Sequence, residues 1–349
     1  VFNRNHIVPG ASASLLVIAA APAFVSAAVV NVQFTGPTHD RWNYPFNFTP
    51  GDRGAASTFN AINEPDFDDR DGQMFIGFDT DAQLDAGLGE PYYVIVSAVM
   101  RLATTDGGFV FDDTYDSITT FTDPMDPEAL NGRPCELYGV GFRGGFDVQT
   151  YVETSAFGSP NGTNYTAVRN SFATDYPDGV AEDISNLIFG EVVGGQTFTQ
   201  RETLPFAIGQ AQGVAVGAVV PFDTDFVFTL DLGNPDVDLY LRRACNAGKL
   251  RLMVSSMHAA VQQGGEFVNW YTKENFFGDG FAARLDMTVM TIDPLVGDLN
   301  LDGVVDTADL GLLISAFGTN NPVADINGDL LVDTADLGQL IANFGASIL

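Results

Sequence analysis

One acidic phrase, written twice, constrains this chain more than anything else in it. Residues 297–318 read GDLNLDGVVDTADLGLLISAFG, and residues 324–345 read ADINGDLLVDTADLGQLIANFG. Each copy sets acidic or amide side chains on alternate positions around a turn and then enters an apolar-periodic run. A calcium loop of the EF-hand kind draws oxygens from its first, third, fifth, seventh (by backbone carbonyl), ninth and twelfth positions, around a glycine at the sixth. On the first copy this template selects Asp298, Asn300, Asp302, the Val304 carbonyl, Asp306 and Asp309, with Gly303 at the turn. On the second it selects Asp325, Asn327, Asp329, the Leu331 carbonyl, Asp333 and Asp336. There Leu330 stands where glycine belongs, with Gly328 nearby to ease the bend. A side chain at that position strains a left-handed backbone, so the second loop is expected to be the weaker site.

Each loop predicts a following helix. Leu310, Leu313, Ile314 and Phe317 recur at i, i+3, i+4 and i+7, as do Leu337, Leu340, Ile341 and Phe344. That spacing gives one apolar face per helix, and Gly318 and Gly345 sit where a C-terminal cap belongs. Two such short helices are marginal alone. The expectation is that they pack face to face and that Ca2+ contributes to their folding by removing carboxylate repulsion.

These residues resemble a type I dockerin, a pair of loop-plus-helix calcium repeats, over roughly Gly297 to Gly345. The resemblance implies docking onto a cohesin partner, which gathers exported proteins into assemblies, often for polysaccharide breakdown. It also implies that loop positions ten and eleven help choose the partner. Here these are Thr307 and Ala308, and Thr334 and Ala335. They differ from the Ser–Thr pair of well-known cellulosomal members, so a cohesin from those systems need not bind. Their identity in the two copies would permit docking in two orientations related by a half-turn. A purely structural use of the pair stays open.

The chain is 349 residues long with a formal charge of −30, from 45 acidic and 15 basic residues, and only Lys249 and Lys273 are lysines. Such a surface repels nucleic acid and anionic membranes and attracts cations. The first residues read as an export signal: Arg4 and His6, then ASASLLVIAAAPAFVSAA ending in small residues, with cleavage after Ala27 or Ala28. No later segment is long and apolar enough to span a membrane. The expected organisation is therefore a signal at 1–28, a β domain at 29–293, and the calcium-binding domain at 294–349. Pro294 breaks the last strand just before the repeats. Exported, the protein is secreted and extracellular or on a cell surface. Cys135 and Cys245 either form one disulfide there or stay as separate buried thiols.

The 29–293 region reads as strands. In ARLDMTVMTI, Leu285, Met287 and Val289 alternate with Arg284, Asp286 and Thr288. DFVFTLDL and KLRLMVSS alternate likewise, and YYVIVSAVMRLAT is continuously apolar, as a central strand would be. Loops rich in Gly, Pro, Asn and Asp separate these runs. The single helical candidate is VAEDISNLIFGEVV, residues 180–193. The fold class expected is mainly β: a jelly-roll-like β-sandwich with a small C-terminal α-helical domain of two EF-hand-like calcium loops.

Catalytic signals are weak. His39 and His258 lack a nucleophile motif, and both read as hydrogen-bonded structural residues. Glu64, Glu136, Glu153, Glu191, Glu202, Glu266 and Glu274 are available for a two-carboxylate glycosidase, whose geometry depends on spatial separation; most read as surface residues. Asp66, Asp68, Asp69 and Asp71 form an acidic loop, either a solvated turn or a structural calcium site. Trp42 with Tyr44, and Trp270 with Tyr271, are the densest candidates for sugar stacking, against core packing. The pieces MFIGFDTDAQL, YYVIVSAVMRLAT and WYTKENFFGDGFAARLDMTV resemble, more loosely, the DNRLRE-type β-sandwich of exported bacterial proteins. That resemblance implies an adhesion or carbohydrate-binding role with no catalytic residues.

The expectation is a secreted, non-catalytic protein whose dockerin-like domain docks a polysaccharide- or surface-binding sandwich into an extracellular assembly. The alternatives are a dockerin-bearing polysaccharide hydrolase and a structural cell-surface protein without a docking partner.

Overall fold

The computed structural model describes residues 27–62, 64, 67–119, 132–159, 168–190, 192–193, 196–260, 266–278 and 280–348. All but the last two residues of the expected export signal lie outside them, as do Asp66 and Glu191. The chain divides into a large unit, Ala27–Pro294 with Leu301–Gly303 and the C-terminal end, and a small unit, Leu295–Asn300 with Val304–Ser347.

The large unit is mainly β. Its principal strands are β1 (Ala27–Phe34), β2 (His39–Asn43), β3 (Ala55–Thr58), β4 (Gln73–Phe78), β5 (Tyr93–Ala103), β6 (Arg133–Phe142), β7 (Ser171–Thr174), β8 (Gln210–Ala211), β9 (Asp225–Thr229), β10 (Leu250–Ser256), β11 (Val268–Tyr271) and β12 (Arg284–Ile292). One sheet runs β1-β12-β5-β9-β8; the other runs β7-β6-β10-β4-β2, and β11 pairs with β3. The β1–β12 register sets Ala27 against Ile292 and Phe34 against Leu285. The β12–β5 register slips between Thr288 and Val289, the signature of a β-bulge.

Period-two patterning explains why the sheets close on each other. Val32, Leu285, Met287, Ile95, Met100 and Phe226 of the first sheet share one buried core with Ile76, Phe78, Leu137, Leu252 and Val254 of the second. This is a sandwich-like arrangement. Trp270 is fully buried in it, meets Phe226 edge-on at 5.2 Å and donates its indole N–H to Thr58 Oγ1 at 3.0 Å. It is therefore core rather than a sugar platform. Strand β5 is central in its sheet as expected, but Val94 and Val96 on its other face are exposed.

The second sheet departs from a simple sandwich by being buried on both faces. Phe75, Tyr138, Val140 and Met253 point away from the main core and pack with Tyr151, Ile184 and Leu187. Every residue of β10 is buried, so its alternating sequence does not mark a half-exposed strand.

Over the described residues 180–190 and 192–193 the expected helix does not form; residues 185–190 turn instead. Asp183 accepts the Ser185 N–H and pairs with Arg143, and the Asn186 amide holds Asp68. These side-chain bonds compete with a helical ladder. The helix of the large unit is α1, Pro235–Ala247. Asn234 caps it by accepting the Asp236 N–H at 3.0 Å, Pro235 opens it and Gly248 closes it at φ 71°. Val237, Tyr240, Leu241, Ala244 and Cys245 form its buried stripe. Cys135 and Cys245 are both buried free thiols, and burial pushes the Cys245 thiol up to about 12. The disulfide alternative is thereby set aside.

The Asp68–Asp71 loop is neither a solvated turn nor an open cation loop. Asp68 pairs with the buried Arg169, Asp69 accepts the Phe189 N–H at 3.1 Å, and Arg70 reaches Glu136 with both side chains fully buried. Glu136 also accepts the Asp116 N–H at 2.9 Å and the Tyr138 hydroxyl at 3.2 Å. Glu136 is thus an interior anchor, not a surface residue. Arg70→Met should cost about 3–5 kcal/mol, because it strands a buried carboxylate. Denaturant unfolding checks this, and Arg70→Met with Glu136→Gln should recover a large part of the loss.

Candidate functional site

The small unit is built from the repeated phrase. Helices α2 (Thr307–Ala316) and α3 (Thr334–Asn343) each start after the loop's ninth-position aspartate. Asp306 accepts the Ala308 N–H and Asp333 the Ala335 N–H, both at 2.7 Å. In return Asp309 and Asp336 accept the N–H groups of Asp306 and Asp333, both at 2.8 Å. This reciprocal cap satisfies orphan donors and sets negative charge at the positive helix end. The second oxygen of each twelfth-position aspartate closes the loop. Asp309 Oδ1 accepts the N–H groups of Leu299 (2.8 Å) and Asn300 (3.2 Å), and Asp336 Oδ1 accepts that of Asn327 (3.0 Å). Both aspartates are fully buried.

The two loops share one backbone but exchange their glycines. Each has left-handed residues at its fourth and sixth positions: Leu301 (φ 58°) and Gly303 (φ 89°) in the first, Gly328 (φ 75°) and Leu330 (φ 72°) in the second. Each copy therefore holds one leucine in the region that favours glycine. Leu330 is 78% exposed, so burial does not offset its strain. In the second loop Asp325 gathers the N–H groups of Gly328 (2.9 Å), Asp329 (3.1 Å) and Leu330 (2.7 Å).

The copies also interlock. Val305, at the eighth loop position, donates to the Ala346 carbonyl and accepts from Gly345, just past α3. Val332, its counterpart, donates to the Thr319 carbonyl and accepts from Gly318, just past α2. Both valines are buried, with Leu313, Ala316, Ala324 and Leu340. The expected apolar faces are only partly used. Ile314 and Ile341 are each 59% exposed, and Phe317 and Phe344 are 46% and 47% exposed. The interlocked loops and the inner leucines suffice for this small core, which leaves the outer half of both faces to solvent. Thr307, Ala308, Thr334 and Ala335 are exposed at the helix starts.

The donor chemistry of each loop is four carboxylates, one carboxamide and one backbone carbonyl. An all-oxygen set of that size could hold a hard divalent cation such as Ca2+. Among the described residues, the group whose His, Cys, Asp or Glu ligand atoms all lie within 4.8 Å of one another is elsewhere, at Asp40, Glu153 and Glu274. Asp306, Asp309, Asp325, Asp329, Asp333 and Asp336 are turned toward backbone N–H groups.

The Asp40 cluster is closed around an ammonium group. Lys273 pairs with Glu153 and Glu274 and lies 3.6 Å from Asp40 Oδ1. Asp40 is fully buried, accepts the Lys273 N–H at 2.8 Å and donates its own N–H to Glu153 at 2.9 Å. Burial and the neighbouring Glu274 carboxylate push its carboxyl up. The arrangement ties β2, the segment after β6 and the segment after β11 together. His258 is fully buried against the Phe109 ring, and burial lowers it to about 3, so its imidazole is neutral. His39, half-buried, opens β2.

No family model matches the chain, and no curated protein matches it. Among the described residues no helix is long and apolar enough to cross a membrane.

Leu330→Gly removes the strain of a left-handed leucine and should stabilise the small unit by about 1 kcal/mol. Hydrogen–deuterium exchange over α3 in the full chain checks this, with slower exchange expected. The Asp333 N–H, followed by that of Asn327, holds the Asp336 carboxyl below the usual carboxylate range. Its stabilisation is present above the unfolded value of about 3.9 and disappears as pH falls through the folded value. The advantage of the parent chain over Asp336→Asn, read from the same exchange, should therefore be full at neutral pH and vanish in strong acid.

Proposed function

We propose that this is a secreted, non-catalytic protein in which a calcium-stabilised, dockerin-like helix pair docks a surface- or polysaccharide-binding β-sandwich into an extracellular assembly. The observation that carries the reading is the duplication of the loops in three dimensions. Each copy has the same six donor positions, the same reciprocal cap, the same two left-handed residues and the same interlock. In this reading Asp298, Asn300, Asp302, Val304, Asp306 and Asp309 hold one Ca2+, and Asp325, Asn327, Asp329, Leu331, Asp333 and Asp336 hold a second. The ion neutralises crowded carboxylates and so favours the folded loop.

Docking is supported by the matched exposed residues. Ile314 with Phe317 and Ile341 with Phe344 offer two equivalent apolar patches, each at the end of a helix that opens with an exposed Thr–Ala pair. Equivalent patches suit a cohesin-like partner that can bind either way round.

A jelly-roll-like fold for the large unit is supported by strand order. Taking β1, β4, β5, β6, β7, β9, β10 and β12 as first to eighth, the sheets run first-eighth-third-sixth and fifth-fourth-seventh-second, the order of two Greek keys. Surface binding is supported by Phe276 and Phe277, whose rings meet edge-on at 5.1 Å while 92% and 63% exposed. A hydrolase needs two carboxylates flanking a substrate-accessible cleft. The Asp40 cluster is closed on Lys273 and has a fully buried member, so it is not such a pair.

The test is calcium titration of the chelator-treated full chain by calorimetry. Two binding events are expected, with Asp309→Asn and Asp336→Asn each removing one. Exchange over α2 and α3 should slow at least tenfold when Ca2+ is added. A chain indifferent to Ca2+ sinks the proposal. If Ca2+ binds but no member of a cohesin panel does, the pair is structural and the docking half fails.

A further inference from the structure

The large unit contains an aromatic pocket independent of the repeat pair. It has a volume of about 230 Å³, between β2, β3 and the loop before β4. Its walls are the rings of Tyr44, Phe59 and Phe67 with Ala61 and Ala260, and its polar side chains include the carboxyl groups of Glu64 and Asp71. Tyr44 and Phe59 meet at 71° with centroids 5.4 Å apart, so they form a corner rather than a flat platform. Trp42 stacks behind Tyr44 at 4.4 Å, and Phe46 stacks on Phe67 at 6.1 Å, which fixes the ring orientations. A pocket smaller than the roughly 300–1,000 Å³ of drug-sized sites takes one headgroup, not a chain of rings.

The polar groups decide the chemistry. Asp71 is 2% exposed, and its Oδ2 has no hydrogen-bond partner. Its Oδ1 lies 3.9 Å from Arg169, which is committed to Asp68. Burial and then the Asp68 carboxylate push Asp71 up to about 8, and burial and Asp71 push the Tyr44 hydroxyl up as well. Each group thus has one carboxylate neighbour besides its burial. The side chains lining this pocket include two carboxyls and a single phenol, and no basic or amide group among the described residues. Aromatic faces with carboxylates match a guest that is positively charged, because the ring quadrupole and the acid attract it together.

We propose that this pocket binds a small organic cation, a primary or methylated ammonium headgroup, seated in the Tyr44–Phe59 corner against Asp71 with Glu64 at the rim. The charge of −30 on the chain raises the local concentration of such ligands. Entry of the cation displaces the Asp71 proton to solvent, so the charge of the site balances.

Calorimetric titration of the full chain with choline tests this, with 3,3-dimethylbutan-1-ol as the uncharged isostere and methyl glucoside as the neutral sugar. Choline should bind at millimolar concentration or below, the isostere at least tenfold more weakly, and the sugar not at all. The binding enthalpy should vary with buffer ionisation, which reports proton release. Tyr44→Ala and Asp71→Asn should each weaken choline at least tenfold. Glu64 is exposed, so Glu64→Gln tests the charge without disturbing the interior and should weaken choline several-fold. Equal binding of choline and its isostere, binding of the sugar alone, binding of none of the three, or an unchanged affinity in a folded Glu64→Gln each overturns the proposal.

Discussion

A carboxylate taken out of water must be answered by a cation or by several N–H donors, and this chain has 45 acidic groups to 15 basic ones. Arg41, Arg70, Arg169 and Arg251 are buried, and others are half-buried against carboxylates. Arg70 answers Glu136, Arg169 answers Asp68, Arg143 answers Asp183, and Lys273 serves Glu153, Glu274 and Asp40 together. These pairs join segments far apart in sequence, so the outer layer over the second sheet is held by charge as well as by Phe75, Tyr138 and Tyr151. Replacing such pairs with apolar side chains is often neutral or stabilising.

The small unit answers its carboxylates differently. It contains no lysine or arginine between Leu295 and Ser347, so Asp309 and Asp336 turn to backbone N–H groups at the helix starts, and Asp325 to those of its own loop. Backbone donors satisfy lone pairs but carry no full charge, so mutual repulsion within each loop remains. Composition alone thus separates the two units: one has basic side chains of its own, and the other has none.

What could be read from the amino acids followed from how local its cause was. The repeat, its caps and the α2 and α3 helices depend on residues within a dozen positions of each other, and they were legible. So was the alternation of β9 and β12, because one face of each meets a core and the other meets solvent. The helix α1 carried legible marks as well, with Asn234 and Pro235 at its start and Gly248 past its end, but the strand-like text around it drew the reading away. The double burial of β10 was not legible, because alternation cannot reveal a second layer that includes Tyr151, Ile184 and Leu187. The Asp68–Asp71 loop misled for the same reason. Consecutive acidic residues read as solvated until Arg169 and Asn186, a hundred residues onward, are brought against them. The aromatic pocket had its Trp42–Tyr44 signal in the sequence, whereas the approach of Asp71 to Tyr44 is a product of the fold.

The exchange of glycine and leucine between the two loops bears on how the pair works. An identical backbone with left-handed residues at the fourth and sixth positions tolerates a side chain at either place, provided the other is glycine. Losing both glycines would strain one loop twice, and each copy keeps one. The interlock makes this a shared constraint, since Val305 is bonded past α3 and Val332 past α2. The end of each helix, beside Phe317 or Phe344, is thereby bonded to the loop of the other copy. The geometry of the two loops and the exposed apolar residues are therefore parts of one folded object.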